Sequence, residues 1–530
     1  MRDFQKPGRS LVYAANGLCA TSHPLAAATA VAILREGGNA VDAAIAGAVL
    51  LGICEPQMTG IGGDCFALVK PAGSEEILGL NGSGRAPAGI DAEALRAAGH
   101  ARVPTHDAAA ITVPGAVDAF VRLAADHGRL GLAACLVPAI RYAEEGVPVA
   151  PRVARDWAEA APLLAGDARR FYLLDGGAVP RPGQIFRAPG QAEALRRIAR
   201  DGRAGFYEGE VAEDMVASLR ALGGAHTLED FAAAKADYVT PIRGSYRGHE
   251  MVELPPNGQG AAAILLLHIL ERFDLAALAP FGAARAHLEA EATRLAYDAR
   301  DRFVADPAHA ADAAEHLLSD ALADRLAALI DPARARADLP RAADAAHHRE
   351  TIYITVVDRD RMAVSLIYSI FHSFGSGLAS ARFGINFHNR GAGFSLAEGH
   401  PNEIAPGKRP MHTIIPAMLR RGGRLTMPFG VMGGAYQAAG HARLVSNLID
   451  FGLDPQSAID APRAFATPGG PLELETTHAP EVFTELAALG HAVSRAATPI
   501  GGAQAITLDA GLGVLVGASD PRKDGCALGY

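Results

Sequence analysis

The sequence predicts an α+β fold arranged as a four-layer α-β-β-α sandwich, and two features carry that expectation. Thr351 to Val357 and Met362 to Ile370 are alternating apolar runs joined by the polar tetrapeptide Asp358-Arg359-Asp360-Arg361, which is the pattern of a β-hairpin. Helix-prone runs flank this hairpin on both sides in the chain, so each sheet face has helices to cover it. In the first run Ile352, Ile354 and Val356 share one face, while Thr351, Tyr353, Thr355 and Val357 share the other. Thr351 thus heads a strand with its hydroxyl beside the neighbouring strand. Threonine is a good strand former, so this position alone does not make it functional.

Taken in order, the chain opens its regular structure with an Ala-rich helical run from His23 to Leu34, stopped by Gly37-Gly38. The run from Asn39 to Leu50 is apolar almost all round, which predicts a helix buried between layers. Gly60-Ile61-Gly62-Gly63-Asp64 then opens a short strand, Cys65 to Val69. A dinucleotide-binding reading of these glycines fails, because Cys65 stands where the third glycine belongs and a strand replaces the helix. Asn81 to Pro87 is a Gly-rich turn carrying Arg85. From Thr112 to Arg300 the chain is mostly helical, interrupted by a strand-like run from Tyr238 to Tyr246 and by the turn Glu253 to Gly260 before a helix at Ala261. Residues 307–350 are rich in Ala, Asp, Arg and His, lack motifs and read as a solvated linker. The pair His347-His348 has no further ligand at metal spacing, so no metal is expected.

Composition narrows the function. With 530 residues, 49% hydrophobic and 20% charged, the chain can bury a large core and is not disordered. A net charge of -9 without a basic block argues against a nucleic-acid partner and for small molecules. Five cysteines without CxxC spacing fit neither a disulfide framework nor a zinc site, so a reducing, cytoplasmic compartment is expected. The apolar stretch Ala40 to Cys54 contains Asp42 and is too short to span a bilayer, so no membrane partner is expected. No GxSxG surrounds Ser83 or Ser376, which disfavours a Ser-His-Asp hydrolase.

Several blocks together resemble the gamma-glutamyltransferase family of N-terminal-nucleophile hydrolases. They are the GGNAVDAA…EPQ…GIGGD series, Thr112-Val-Pro114-Gly115, Pro255-Pro256-Asn257-Gly258-Gln259-Gly260, Thr351-Ile-Tyr-Ile-Thr355-Val-Val-Asp358, the block around Phe387 to Ser395, Pro406 to Pro416, and Gly430 to Gln437. The resemblance spans residues 17 to 306 and 345 to 530. It implies a precursor cut between Glu350 and Thr351 into a large subunit, 1–350, and a small subunit, 351–530. These would form a heterodimer, with further pairing left open and no cofactor needed.

Cleavage would suit the chemistry. A threonine hydroxyl needs an adjacent base, and cutting before Thr351 exposes its own α-amine, whose ordinary pKa of roughly 7.7 to 8.0 suits that task. The resemblance assigns Ser369 to a hydroxyl that bonds the nucleophile, and Gly433-Gly434 to the oxyanion hole. As bare sequence the glycine pair is equally a plain turn. Recognition residues depart from the glutamyl-specific pattern: Phe371 replaces an asparagine, Arg390 a glutamine, Gly393 an aspartate, His412-Thr413 a serine pair, and Ser83 stands at the carboxylate arginine's place. Arg85, Arg390, His412 and Thr413 are then the candidates for holding an acid group, although Arg85 reads equally well as a surface arginine paired with an acid. The expected activity is hydrolysis of a small acid-bearing amide, oxamate-like, through an acyl-enzyme. The alternatives are a γ-glutamyl hydrolase or transpeptidase acting on glutathione, and a non-enzymatic scaffold.

Overall fold

Two seven-stranded sheets, each antiparallel throughout, stack face to face in the computed structural model, which describes residues 5, 8–336, 351–467 and 469–530. The first sheet runs Cys526–Gly529, Leu18–Thr21, Ile352–Val357, Ala363–Ser369, Asp64–Lys70, Leu78–Gly82, Asp237–Val239. The second runs Val12–Ala14, Val514–Ser519, Gly502–Asp509, Arg424–Met432, Ala417–Arg421, His249–Glu253, Ile242–Tyr246. Each sheet takes strands from both sides of the expected Glu350–Thr351 junction. Neither segment could therefore complete a sheet by itself.

Alternation along the hairpin sorts side chains between layers as the sequence predicts. Tyr353, Val357, Ala363 and Ile367 join Phe66, Met418, Met432 and Leu515 in the core between the sheets. Ile352, Ile354 and Val356 point the other way, into a core shared with the helices Pro24–Arg35 and Ala40–Cys54. A third core packs the helices Gly260–Glu271, Ala283–Phe303 and Tyr436–Ile449 on the outer face of the second sheet. These three interfaces make four layers, α-β-β-α.

Local chemistry pins the Thr351 hairpin to its helix. Ala40–Cys54 is buried at every position and starts with a capping box, in which Asn39 accepts from Asp42 N–H while the Asp42 carboxylate accepts from Asn39 N–H. The hairpin turn supplies one more acceptor there, because Asp358 Oδ2 takes the Ala40 N–H at 3.0 Å. Between the sheets the close approach falls at Gly430, where a Cβ would stand 2.3 Å from Tyr353 Cε2. Gly430→Val should consequently cost about 1–3 kcal/mol through overpacking, seen as a lower denaturation midpoint.

Two expectations need correction. The run Tyr238 to Tyr246 is not one strand: Asp237–Val239 is the edge of the first sheet and Ile242–Tyr246 the edge of the second. Pro241, with no N–H and a fixed φ, separates them. The linker expected at 307–350 is folded over its first part, into helices Ala313–Leu318 and Asp320–Ala327. Leu317, Leu322, Ala323 and Ala327 bury their apolar groups in the outer helical core. Residues 337–350, with His347, His348 and Glu350 of the expected cleavage site, lie outside the described residues. No helix among the described residues is long and apolar enough to cross a membrane.

Candidate active site

Three adjacent strands bring Thr351, Ser369 and Asp64 to one end of the first sheet. Thr351 immediately precedes Ile352–Val357, Ser369 closes Ala363–Ser369, and Asp64 opens Asp64–Lys70 in register opposite Ser369. Thr351 Oγ1 lies 3.2 Å from Ser369 Oγ, and both residues are buried. Ser369 Oγ also accepts the Phe371 N–H at 2.9 Å, which leaves its own proton for the threonine side. Ser369→Ala should slow self-cleavage and turnover by about ten- to a hundredfold, with Ser369→Thr restoring both, in single-turnover assays.

Beyond Ser369 the chain turns sharply. Phe371 has φ +76°, a left-handed conformation that is strained for a bulky residue. That turn lays the Phe371 ring under Arg390, whose guanidinium carbon sits 3.9 Å from the ring centroid. Arg390 is fully buried and donates from NH1 to Thr413 Oγ1 at 3.0 Å. Its Nε and NH2 have no hydrogen-bond partner among the described residues. Burial lowers this guanidinium to about 9, against the pull of Asp64. It is therefore a cation at neutral pH, with two donors unspent in a place where unspent donors are costly.

Asp64 organises the polar floor of the site. Its Oδ1 accepts from the N–H groups of Gly84, at 3.0 Å, and Gly115, at 3.2 Å, and its Oδ2 accepts from His412 Nε2 at 3.0 Å. Burial opposes ionisation, but the His412 N–H bond and the Arg390 cation keep the carboxyl ionised. Burial and then Arg390 push the His412 imidazole down to about 3, so this ring is neutral and committed to Asp64.

The glycine pair belongs to the facing sheet. Arg424–Met432 ends in a turn with Gly433 at φ +130° and Gly434 at φ +56°, and the helix Tyr436–Ile449 follows. A Cβ at Gly433 would stand 2.9 Å from Gly501 Cα, so glycine answers both the conformation and the space. Gln259 Nε2 donates both to Gly434 O, at 3.2 Å, and to Thr413 O, at 2.7 Å. A continuous chain of contacts thus runs Thr351, Ser369, Phe371, Arg390, Thr413, Gln259, Gly434.

Of the sequence-expected residues, Arg85 stands outside this chain. Its side chain is 44% exposed, donates to Gly407 O at 3.0 Å and pairs with Asp306 at 3.3 Å, the surface-arginine alternative of the two readings. Asp64, His388 and Gln259 were carried by motif blocks but had no role that sequence could assign. One group among the described residues has metal-ligand chemistry, His287, Glu291 and His491. Protein contacts satisfy it: His287 Nδ1 meets His491 Nε2 at 2.7 Å, and the Arg294 guanidinium reaches both Glu291 and His491.

The description of the gamma-glutamyltranspeptidase family matches residues 26–530. The chain belongs to that family. Among relatives, it is 35% identical over 521 residues to the glutathione hydrolase-like YwrD proenzyme of Bacillus subtilis, covering 96% of this chain and 97% of the relative. It is 36% identical over 531 residues to the oxamate amidohydrolase proenzyme of Klebsiella pneumoniae, covering 97% and 98%. The crystal structure of cephalosporin acylase from Bacillus halodurans superposes with a TM-score of 0.91 at 38% identity, covering 100% of this chain and 99% of that one. This gamma-glutamyltranspeptidase family member is accordingly an enzyme with the N-terminal-nucleophile hydrolase fold, and its chemistry is amide hydrolysis or acyl transfer.

Proposed function

We propose that this enzyme cuts itself between Glu350 and Thr351, and that the resulting heterodimer hydrolyses a small amide whose acyl part carries a carboxylate, as oxamate does. The observation that carries the substrate reading is Arg390, a buried guanidinium with Nε and NH2 unspent, one ring away from the Ser369 hydroxyl. A carboxylate accepts two parallel N–H bonds, which is the pairing an open guanidinium fork provides. The proenzyme names of the similar glutathione hydrolase-like and oxamate amidohydrolase chains support the processing step.

In turnover the new α-amine of Thr351 takes the hydroxyl proton, and Oγ1 attacks the amide carbon. The N–H groups of the Gly433-Gly434 turn receive the developing oxyanion. Collapse passes the proton to the leaving ammonia and leaves an ester on Thr351. Water, deprotonated by the same amine, opens that ester and frees the acid. Ser369 orients Oγ1 in both halves.

A second reading, hydrolysis of glutathione or other γ-glutamyl amides, is favoured by the name of the glutathione hydrolase-like relative. It requires an anion for the glutamyl α-ammonium. Gly393 offers none, and the Asp64 carboxylate already serves Gly84, Gly115 and His412. The test is a panel of oxamate, succinamate, glutaramate, glutathione and uncharged amides on processed enzyme. An acid-bearing amide should give the highest kcat/KM; glutathione turned over faster than every small amide acid would overturn the first reading.

A further inference from the structure

Seating a carboxylate on Arg390 creates a charge problem that the surrounding residues are arranged to solve. Arg390, Asp64 and His388 are all fully buried. Without substrate, the charges of Arg390 and Asp64 balance. An incoming carboxylate brings a second anion into the same water-poor space, where an uncompensated charge is expensive.

His388 is built to answer it. Its Nε2 lies 2.8 Å from Thr112 O and 3.2 Å from Thr112 Oγ1; a carbonyl only accepts, so Nε2 carries a hydrogen. In the neutral ring Nδ1 then presents a lone pair to Asp64 Oδ2, 3.5 Å away, and it has no hydrogen-bond partner among the described residues. A proton on Nδ1 would convert that contact into a charge-assisted bond.

We propose that His388 takes up one proton from solvent on Nδ1, facing Asp64, when a carboxylate occupies Arg390. The proposal rests on the reading that Arg390 receives the substrate's acid group. The ionisable groups that reach His388 are Asp64, Arg390, His412 and His226. His412 has Nε2 on Asp64 and Nδ1 accepting from Ile414 N–H at 3.4 Å, so a second proton there would break a bond. His226 meets Ile111 O through Nε2 at 2.8 Å, away from the Asp64 carboxylate. Burial lowers His388, Asp64 and the Thr112 carbonyl raise it, and Arg390 lowers it again. Neutralising Arg390 with a carboxylate removes one of the two lowering influences, so the sign of the coupling is proton uptake.

The test is isothermal titration calorimetry of oxalate, the product acid of oxamate, into processed enzyme at pH 6.5, where the Thr351 α-amine is already protonated, in PIPES and in imidazole, whose ionisation enthalpies differ. The expected result is an uptake of about half to one proton per site in the wild type. His388→Asn should abolish the uptake and weaken oxalate about tenfold. Oxalate binding without uptake, or undiminished uptake in His388→Asn, overturns the proposal and leaves Arg390 as the carboxylate site. Wild type that binds oxalate no better than Arg390→Met overturns that underlying reading as well. If His388→Asn does not mature, the wild-type buffer dependence decides alone.

Discussion

Thr351→Ala should leave one uncut polypeptide of 530 residues with no measurable amide turnover. The substitution removes the hydroxyl that would attack the preceding carbonyl, and with it the only route to a free α-amine at that position. Both functions therefore fall together, by at least about four powers of ten for the nucleophile of an acyl-transfer site. Fold should be retained, since Ile352, Tyr353 and Ile354 make the packing and the Thr351 hydroxyl contributes a contact to Ser369. Intact mass spectrometry reads cleavage, far-UV circular dichroism reads fold, and ammonia release reads turnover. A Thr351→Ala chain that still yields a fragment starting at residue 351 would remove the central claim. Thr351→Ser separates the two roles further, because it keeps the hydroxyl and loses the methyl group that fixes χ1. Slower but complete cleavage is the expected outcome.

What the sequence made legible was whatever depends on local period. The alternation from Thr351 to Val357 put Tyr353 between the sheets and Ile354 against the helices, and the helix from Ala40 was readable because nothing polar interrupts its faces except Asp42. Composition misled where spacing should have been weighed, since the Ala- and Asp-rich linker hides Leu317 and Leu322 at core positions. The polar floor of the site was not legible for a different reason. Asp64 and His412 are 348 residues apart and meet only when the two sheets stack. Nor could Arg85 and Arg390 be ranked from sequence, because the deciding property is burial. The first is spent on Asp306 at the surface and the second is sealed with two donors open.

That same burial makes Arg390→Met the sharpest probe of specificity. If the fork makes two charge-assisted bonds to the substrate acid, losing them removes about 3–6 kcal/mol, or roughly two to four powers of ten in kcat/KM for oxamate. An uncharged amide such as acetamide makes no such bonds and should be turned over as before. Self-cleavage should also proceed, because Thr351, Ser369 and the glycine turn are untouched. Stability should change far less than activity. Methionine keeps much of the side-chain volume over the Phe371 ring, while the variant no longer buries a cation with two unpaired donors. Asp64 keeps Gly84, Gly115 and His412 as donors but loses the cation that balances its charge, which offsets that relief. The expected outcome is a Tm within a few degrees of wild type together with a collapse of acid-amide activity. A variant that loses acetamide and oxamate turnover equally would assign Arg390 to the shape of the site, with no part in choosing its substrate.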